Sequence, residues 1–423
     1  MAKSATARSG LPRWSRSSAS APAKPAKRPS RNPPTTSFRT SFTKGPPMTA
    51  INFRYLSEQD MIAAGVTDIA RCTDVMEEAL ILLRNGDYMM AGENGNSHGA
   101  MITFPEVPVH EGMPCDGPDR RFMAMPAYLG GRFGTTGVKW YGSNTANRAK
   151  GLPRSIHLFT LNDTDTGAPM AIMSANLLSA YRTGAVPGVG VKHLAREDAK
   201  IAAVVGPGVI AKSVIDATLT LRPGIDTVRI KGRSAAGVET FAAYIRENFP
   251  QVANVIAAET IEEAIKDADI VMATTSTDIE GSGAFPYFPA SAIKPGALFL
   301  LPAAARFDDE FVINQARLVL DARGLYDAWA EEYDTQAYEL LGIPGTHFHD
   351  LMREGKLPES KLEEIADVAT GKIPARRNDE EIILYSVGGM PIEDVAWATD
   401  LYRSAEQKDL GQVLNLWQAP VLA

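Results

Sequence analysis

The sequence predicts an α/β protein, with a doubly wound parallel sheet in the middle of the chain and segments of mixed α and β character on either side. Three observations carry this. From Ile201 onward, short apolar runs alternate with stretches of helix length. The first run ends in Gly206-Pro207-Gly208 and continues with Val209, Ile210 and Ala211, a glycine bend between a strand and a helix. The flanking segments lose that rhythm.

In order, "IAAVVG" is a continuous apolar run of strand length, and Val209 to Leu221 has apolar residues at helical spacing. "TVRIKG" is a second strand, followed by a helix from Ser234, a good N-cap residue, to Phe249. "VANVIAA" is a third strand and "IEEAIKDA" a short helix. "DIVMATTS", "GALFLLP" and "ARLVLDA" supply a fourth, fifth and sixth strand. This alternation places a parallel, doubly wound domain at roughly 196–327. Residues 49–180 combine a helix, "DIARCTDVMEEALILLRNG", with the strands "FMAMPAYLGG", "TGVKWYGSN" and "SIHLFTLNDTDTGAPMAIM", in which "NDTDTG" is a turn. After residue 328 the chain turns helical and polar. It ends in "DEEIILYSVGGMPIEDVAWATDLYRSAEQ", a strand, a glycine turn and a helix expected to pack back on the first domain. Residues 48–195 and 328–423 are therefore assigned to a second domain.

The composition excludes several classes. With 45% hydrophobic and 22% charged residues, the 423-residue chain is an ordinary globular protein. No stretch approaches the ~18 uninterrupted apolar residues of a membrane span. Cys72 and Cys115 are its only cysteines. Two can neither staple a chain of this length nor build a zinc site, so a reducing cytoplasm is the expected compartment. The net charge of −7 argues against nucleic acid as a partner. It is unevenly spread, because the segment up to Met48 holds ten Lys and Arg and no acid. Residues 1–47, rich in Ser and Pro, are expected to be a disordered basic tail, with Met48 opening the functional protein. A targeting segment or loose basic arm is the alternative.

The glycine bend reads as a dinucleotide turn. Gly206 permits the sharp turn, Gly208 lets a pyrophosphate approach the backbone, and Ala211 lets helix and strand pack closely. The first-turn N–H groups of Val209 and its neighbours, Ile210 among them, face the phosphates. The bland alternative is a tight bend with small residues. The second strand ends Lys231-Gly232-Arg233-Ser234 with no acid to hold a ribose hydroxyl. Arg233 and Ser234 suit a 2′-phosphate, so the reading leans to NADP over NAD. Thr274 and Thr275, in "ATTST" (Ala273 to Thr277), would line the cofactor groove.

On the substrate side, Lys139 is placed at or near a strand end, and Arg182 precedes a small-residue run leading into the nucleotide domain. Together they could fix a carboxylate, although by pattern alone each is more often a surface cation. Burial would lower Lys139 towards a proton donor's range. His98, His157, His347 and His349 are spare candidates for proton transfer. "HFH" would put His347 and His349 on one strand face, and no metal is expected.

The string "MPAYLGG…TGVKWYGSN…GLPRSIHLFTLNDTDTGAPMAIMSANLLSAYRTGAV…VKHLAREDAKIAAVVGPGVIA" and the tail "ATGKIPARRNDEEIILYSVGGMPIEDVAWATDLYRSA" resemble the ornithine cyclodeaminase/mu-crystallin family. The resemblance runs from about Phe53 to the C-terminus. Its phrasing is similar to one branch, the dehydrogenases that oxidatively split opine-like N-(2-amino-2-carboxyethyl)glutamate into 2,3-diaminopropionate and 2-oxoglutarate. The resemblance implies a homodimer, a Rossmann domain holding NAD(P), and a substrate-binding and dimerisation domain built from both chain ends. The substrate implied is an α-amino, imino or opine acid. Lys139 and Arg182 match the family's carboxylate-binding cations, Thr183 a position against the cofactor phosphates, and Gly206, Gly208 and Ala211 the dinucleotide turn.

Two departures stand out. A further Arg, usual before the "MPA" stretch, is missing; there the chain has Asn94, Asn96 and His98, of which Asn96 and His98 are candidate substrate contacts. The acidic residue usual after the fifth strand falls on Ala304, Ala305 or Arg306, with Asp308 and Asp309 expected to cap the next helix. This puts ornithine cyclisation in doubt and leaves hydride transfer at a Cα–N bond intact. The rivals are a true ornithine cyclodeaminase, releasing ammonia and proline, and a mu-crystallin-like protein that binds NADPH without turnover.

Overall fold

The alternating run from Ile201 builds one fully parallel sheet. The computed structural model describes residues 49–275, 281–333 and 337–422. The basic tail, together with Ser276 and Thr277, lies outside the described residues. All six expected strands form, at Ile201–Val205, Thr227–Lys231, Asn254–Ala257, Ile270–Ala273, Leu298–Leu301 and Ala316–Leu320. The sheet order is 254–257, 227–231, 201–205, 270–273, 298–301, 382–386, 316–320, 362–364. It is doubly wound: Ile201–Val205 lies inside it, third from one edge, with later strands added on both sides. Residues 270–273, 298–301 and 316–320 are buried throughout, as expected of a parallel strand covered on both faces.

The boundary expected near 327 needs correction. Ile382–Ser386 inserts between Leu298–Leu301 and Ala316–Leu320, and Leu362–Glu364 adds at the edge. The run "IILYS" is apolar enough to be buried on both faces, so it joins the parallel sheet and not the flanking domain.

The second sheet is mostly antiparallel. Its strands Tyr88–Met90, Arg121–Leu129, Thr135–Ser143, Ser155–Asp163 and Pro169–Ser174 run in sequence. Ala100–Thr103 pairs with Arg121–Leu129. Ile51–Leu56 adds in parallel to Pro169–Ser174, and Gln412–Trp417 closes the far edge against Ile51–Leu56. The "NDTDTG" turn lies where expected, between the strands 155–163 and 169–174.

The three longest helices, Ile69–Arg84, Asn176–Leu194 and Pro391–Gln407, pack among themselves, and the last lies on strands 121–129 and 135–143. The C-terminal helix thus returns to the first domain. The small-residue run after Arg182 is the middle of helix Asn176–Leu194. A Cβ at Gly184 would collide with Ser213 of helix Val209–Leu221, so the two helices meet almost backbone to backbone. This contact ties the Arg182 helix to the helix that starts at the glycine bend.

Candidate functional site

The bend between Ile201–Val205 and Val209–Leu221 has the shape a dinucleotide requires. Gly206 has φ +96°, and an added Cβ would lie within 2.6 Å of the Thr275 backbone. Gly208 is the helix N-cap and supplies no capping side chain, so the first-turn N–H groups stay available. Among the described residues, a Cβ on Gly208 would meet nothing nearer than 4.0 Å, which leaves room in front of the helix. Val209 is 73% exposed at that end, and Ala211 is buried against the sheet. Thr274 Oγ1 donates to the Gly206 carbonyl at 2.8 Å, and Thr275 Oγ1 to the Val205 carbonyl at 3.2 Å, fixing the bend from the neighbouring strand. Ser234 accepts from the Gly237 N–H as a true N-cap, and Arg233 beside it is exposed. Open space, uncapped N–H groups and a helix dipole together fit a pyrophosphate.

Lys139 lies in the middle of strand Thr135–Ser143, not at its end, and points to the buried face at 1% exposure. Arg182 is 5% exposed on helix Asn176–Leu194. The structure brings the two cations together around one acidic pair. Lys139 Nζ donates to both Asp394 oxygens, at 2.8 and 3.1 Å, and to Ser179 Oγ at 3.3 Å. Arg182 Nε donates to Asp394 Oδ1 at 3.0 Å, and its Nη1 to Glu393 Oε2 at 2.7 Å. Glu393 and Asp394 occupy the first turn of Pro391–Gln407, where the helix dipole favours acids. Both are fully buried.

Burial and then Arg182 draw Lys139 down to about 8, against the pull of Asp394. Burial pushes Asp394 up, but Arg182 and Lys139 outweigh it and hold this carboxyl below its ordinary value. Burial pushes Glu393 up to about 7, with Arg182 opposing and Asp321 and Asp394 reinforcing. His98 and His157, also close by, are each lowered to about 4 by burial and by the charge on Lys139. Both are neutral near pH 7.

The loop before the acidic helix is held from the parallel sheet. Buried Asp321 accepts from the Gly388 and Gly389 N–H groups at 2.7 and 3.2 Å, from Ala322 N–H at 2.9 Å and from the Tyr326 hydroxyl at 3.0 Å. Gly389, at φ +77°, leaves no room for a Cβ, which would sit 2.8 Å from Arg182 Nη1. Its carbonyl takes a hydrogen bond from His98 Nδ1 at 2.8 Å, fixing that tautomer and leaving Nε2 as the acceptor. His98 also packs on Trp329, with ring centroids 5.8 Å apart.

The other expected residues make the following contacts. Asn96 accepts from the Tyr88 hydroxyl at 2.5 Å and donates to the Asn94 carbonyl at 2.9 Å. Among the described residues, no hydrogen bond joins it to Lys139 or Arg182. Thr183 Oγ1 donates to the Ser179 carbonyl within its own helix. His347 and His349 are on a helix, Pro344–Arg353, and not on one strand face. They bond separate partners, Asp309 and Asp327. Asp308 is the N-cap of Asp309–Asn314 but makes no capping bond; it accepts from the Tyr287 hydroxyl at 2.7 Å. Among the described residues, no group of three His, Cys, Asp or Glu could hold a metal.

Glu393, Asp394 and Asp321 went unassigned in the sequence. The first two had a signal: an adjacent acidic pair opening a helix whose next residues, Val395-Ala396-Trp397-Ala398, are apolar. Acids heading such a helix need cations across the core. Asp321 had none, since the Gly388 and Gly389 N–H groups it holds lie far along the chain.

Comparisons with known proteins agree with this architecture. The chain is 28% identical, over 86% of its length and 98% of the relative's, to N-((2S)-2-amino-2-carboxyethyl)-L-glutamate dehydrogenase from Staphylococcus aureus. It is 27% identical to a Delta(1)-pyrroline-2-carboxylate reductase from Bacillus cereus, over 72% of this chain and 88% of that one. Among solved structures, a Thermococcus litoralis Delta(1)-pyrroline-2-carboxylate reductase in complex with NADH and L-proline superposes with a TM-score of 0.66. It is 24% identical and covers 85% of this chain and 99% of its own. An archaeal alanine dehydrogenase dimer with bound NAD gives 0.68 at 22% identity, covering 87% and 100%. These likenesses show a shared fold. The model of the ornithine cyclodeaminase/mu-crystallin family matches residues 65–409, more than half of the chain, and the protein belongs to that family.

Proposed function

We propose that this protein is an NAD(P)-dependent oxidoreductase acting at the Cα–N bond of an amino, imino or opine-type acid. One observation carries the reading. Arg182, which shares Asp394 with Lys139, sits on a helix that meets, through Gly184 and Ser213, the helix starting at an uncapped glycine bend. Gly206, Gly208 and the N–H groups of Val209, Ile210 and Ala211 hold the pyrophosphate, with Thr274 and Thr275 bracing the bend. When bound, the nicotinamide supplies the hydride acceptor or donor. Lys139 and Arg182 orient the substrate carboxylate and fix the position of Cα. His98 Nε2 offers a lone pair to the substrate nitrogen, because Nδ1 is tied to Gly389. Lys139, drawn down to about 8, also serves as a proton donor near neutral pH.

The opine-type substrate is favoured by the Staphylococcus aureus relative and by the motif resemblance. Segment 301–306, Leu-Pro-Ala-Ala-Ala-Arg, carries no acid, which speaks against cyclisation. Exposed Arg233 beside Ser234 favours NADP. A homodimer is supported by the outer face of the antiparallel sheet, where Phe122, Trp140, Ile156 and Leu158 are 40–51% exposed. The archaeal dimer of the same fold points the same way. A cytoplasmic setting is favoured by two unpaired cysteines; among the described residues no helix is long and apolar enough to cross a membrane.

The test is incubation with NAD(P)+ and a panel of amino and opine acids, following reduced nicotinamide by absorbance. Net reduction is the expected outcome. Ammonia without net reduction identifies a cyclodeaminase, and tight NADPH binding with neither product a binding protein.

A further inference from the structure

The buried cluster is already neutral. Lys139 and Arg182 face Asp394 and Glu393, two cations against two carboxylates, all at most 5% exposed. A substrate carboxylate entering this site brings a third anion to two cations, in surroundings where an unbalanced charge is costly. One oxygen of the cluster stands out: among the described residues, buried Glu393 Oε1 has no hydrogen-bond partner, although Oε2 is paired with Arg182. A buried carboxylate oxygen without a donor is where a proton costs least.

We propose that Glu393 is a positioning residue that takes up one proton when a substrate carboxylate binds and returns it on release. The proton comes from solvent and forms the Oε1–H bond, turning a carboxylate into a carboxylic acid. The cluster with its guest is then two cations and two anions again. Arg182, relieved of one ion pair, can turn its Nη1 to the newcomer. This rests on Lys139 and Arg182 being the carboxylate clamp.

The surroundings favour such a proton. Arg182 and Cys72 face Glu393 from the two core helices, and Lys139 from the antiparallel sheet. Asp321 and Tyr385 face it from the parallel sheet, and Asp394 from its own helix. Two of these, Asp321 and Asp394, are acids that resist a third charge. Burial and these acids already bring Glu393 to about 7, so a further anion carries it well into the protonated form.

The probe is pyruvate, a carboxylate without an amine to titrate, added to the ammonia-free, NADPH-loaded protein. Calorimetry in two buffers of different ionisation enthalpy counts protons taken up. At about pH 7.5 the wild type should take up close to one per pyruvate, and its affinity should fall by up to tenfold per pH unit above about 7. Glu393→Gln, which imitates the protonated acid, should bind pyruvate with similar affinity at about pH 6 and take up several-fold fewer protons at about pH 7.5, the remainder belonging to Lys139. Binding without proton uptake by the wild type overturns the proposal alone. Undiminished uptake by Glu393→Gln assigns the proton to Lys139 and also overturns it. If neither pyruvate nor any other small carboxylate binds, the clamp itself is wrong and the proposal goes with it. Should Glu393→Gln not fold, the wild-type proton count and pH dependence still decide.

Discussion

The two sheets treat polarity in opposite ways. The parallel sheet is dry through its middle strands, and the site at the C-terminal end of strand 201–205 is made of backbone: a left-handed Gly206, an uncapped helix start and a bracing pair of threonines. The antiparallel sheet instead points a lysine into the interior and neutralises it with acids from a helix 255 residues further along. A site built from backbone follows from a short stretch of chain. One built from buried charges exists only when distant elements meet, and each charge depends on all the others.

Arg182→Ala attacks that dependence most severely. It leaves Glu393 without its cation and Asp394 with Lys139 alone. Breaking a buried pair in this way costs about 3–5 kcal/mol of stability. Loss of the clamp should lower kcat/KM by roughly 10³ or more, about 4 kcal/mol of transition-state binding. Dinucleotide affinity, set at the other sheet, should stay within about twofold by fluorescence titration. If both affinities fall together, the two sites are not separate and the contrast between the sheets breaks.

Acid comes next. His98 and His157, beside the buried cations, are held at about 4, below the ordinary 6.5. Between those values the unfolded chain binds more protons than the folded one. Their contribution is therefore complete above about pH 6.5 and lost as pH falls towards 4, at most about 3 kcal/mol for each. The segment 196–327 contains no histidine, so it has no counterpart. Urea denaturation at stepped pH should show this loss, and His157→Gln should reduce the slope by about one proton. An unchanged slope would detach the histidine from the cluster.

The glycine bend separates two effects that look alike in sequence. Gly206→Ala forces a left-handed residue and a Cβ into Thr275, and should cost about 1–3 kcal/mol of stability along with cofactor affinity. Gly208→Ala has room for its Cβ among the described residues. Its stability should stay within about 1 kcal/mol, while dinucleotide binding weakens because the methyl occupies the pyrophosphate's approach. Equal destabilisation by both would mean that the space before the helix is only structural.

This division explains what could be read from the chain alone. The strands from Ile201 to Leu320 were legible because each is a short apolar run punctuated by a helix, and the glycine spacing lies within one such unit. Ile382–Ser386 was visible as a strand, but its sheet was not. Parallel neighbours share no turn, so nothing local says that "IILYS" belongs between residues 298–301 and 316–320. Lys139 and Arg182 were legible as chemistry but not as a buried pair, because their partners Glu393 and Asp394 lie more than two hundred residues away. Asn96 shows the opposite case: its loop engages its amide locally, through Tyr88 and Asn94.

The smallest expected effect lies at the backbone-built site, where one side chain is proposed to tune the choice of dinucleotide. Arg233 is exposed at the end of Thr227–Lys231, and the N-cap hydroxyl of Ser234 follows it. An exposed guanidinium gains only a modest, salt-screened attraction for a phosphate. Arg233→Asp should therefore move preference from NADP towards NAD by about tenfold, close to 1.4 kcal/mol, and the shift should shrink as salt rises. Stability should be unaffected, since no packing is lost. Measuring both dinucleotide affinities at low and high salt checks the sign and the screening together. An unchanged ratio would show that the backbone grips the pyrophosphate without reading the ribose.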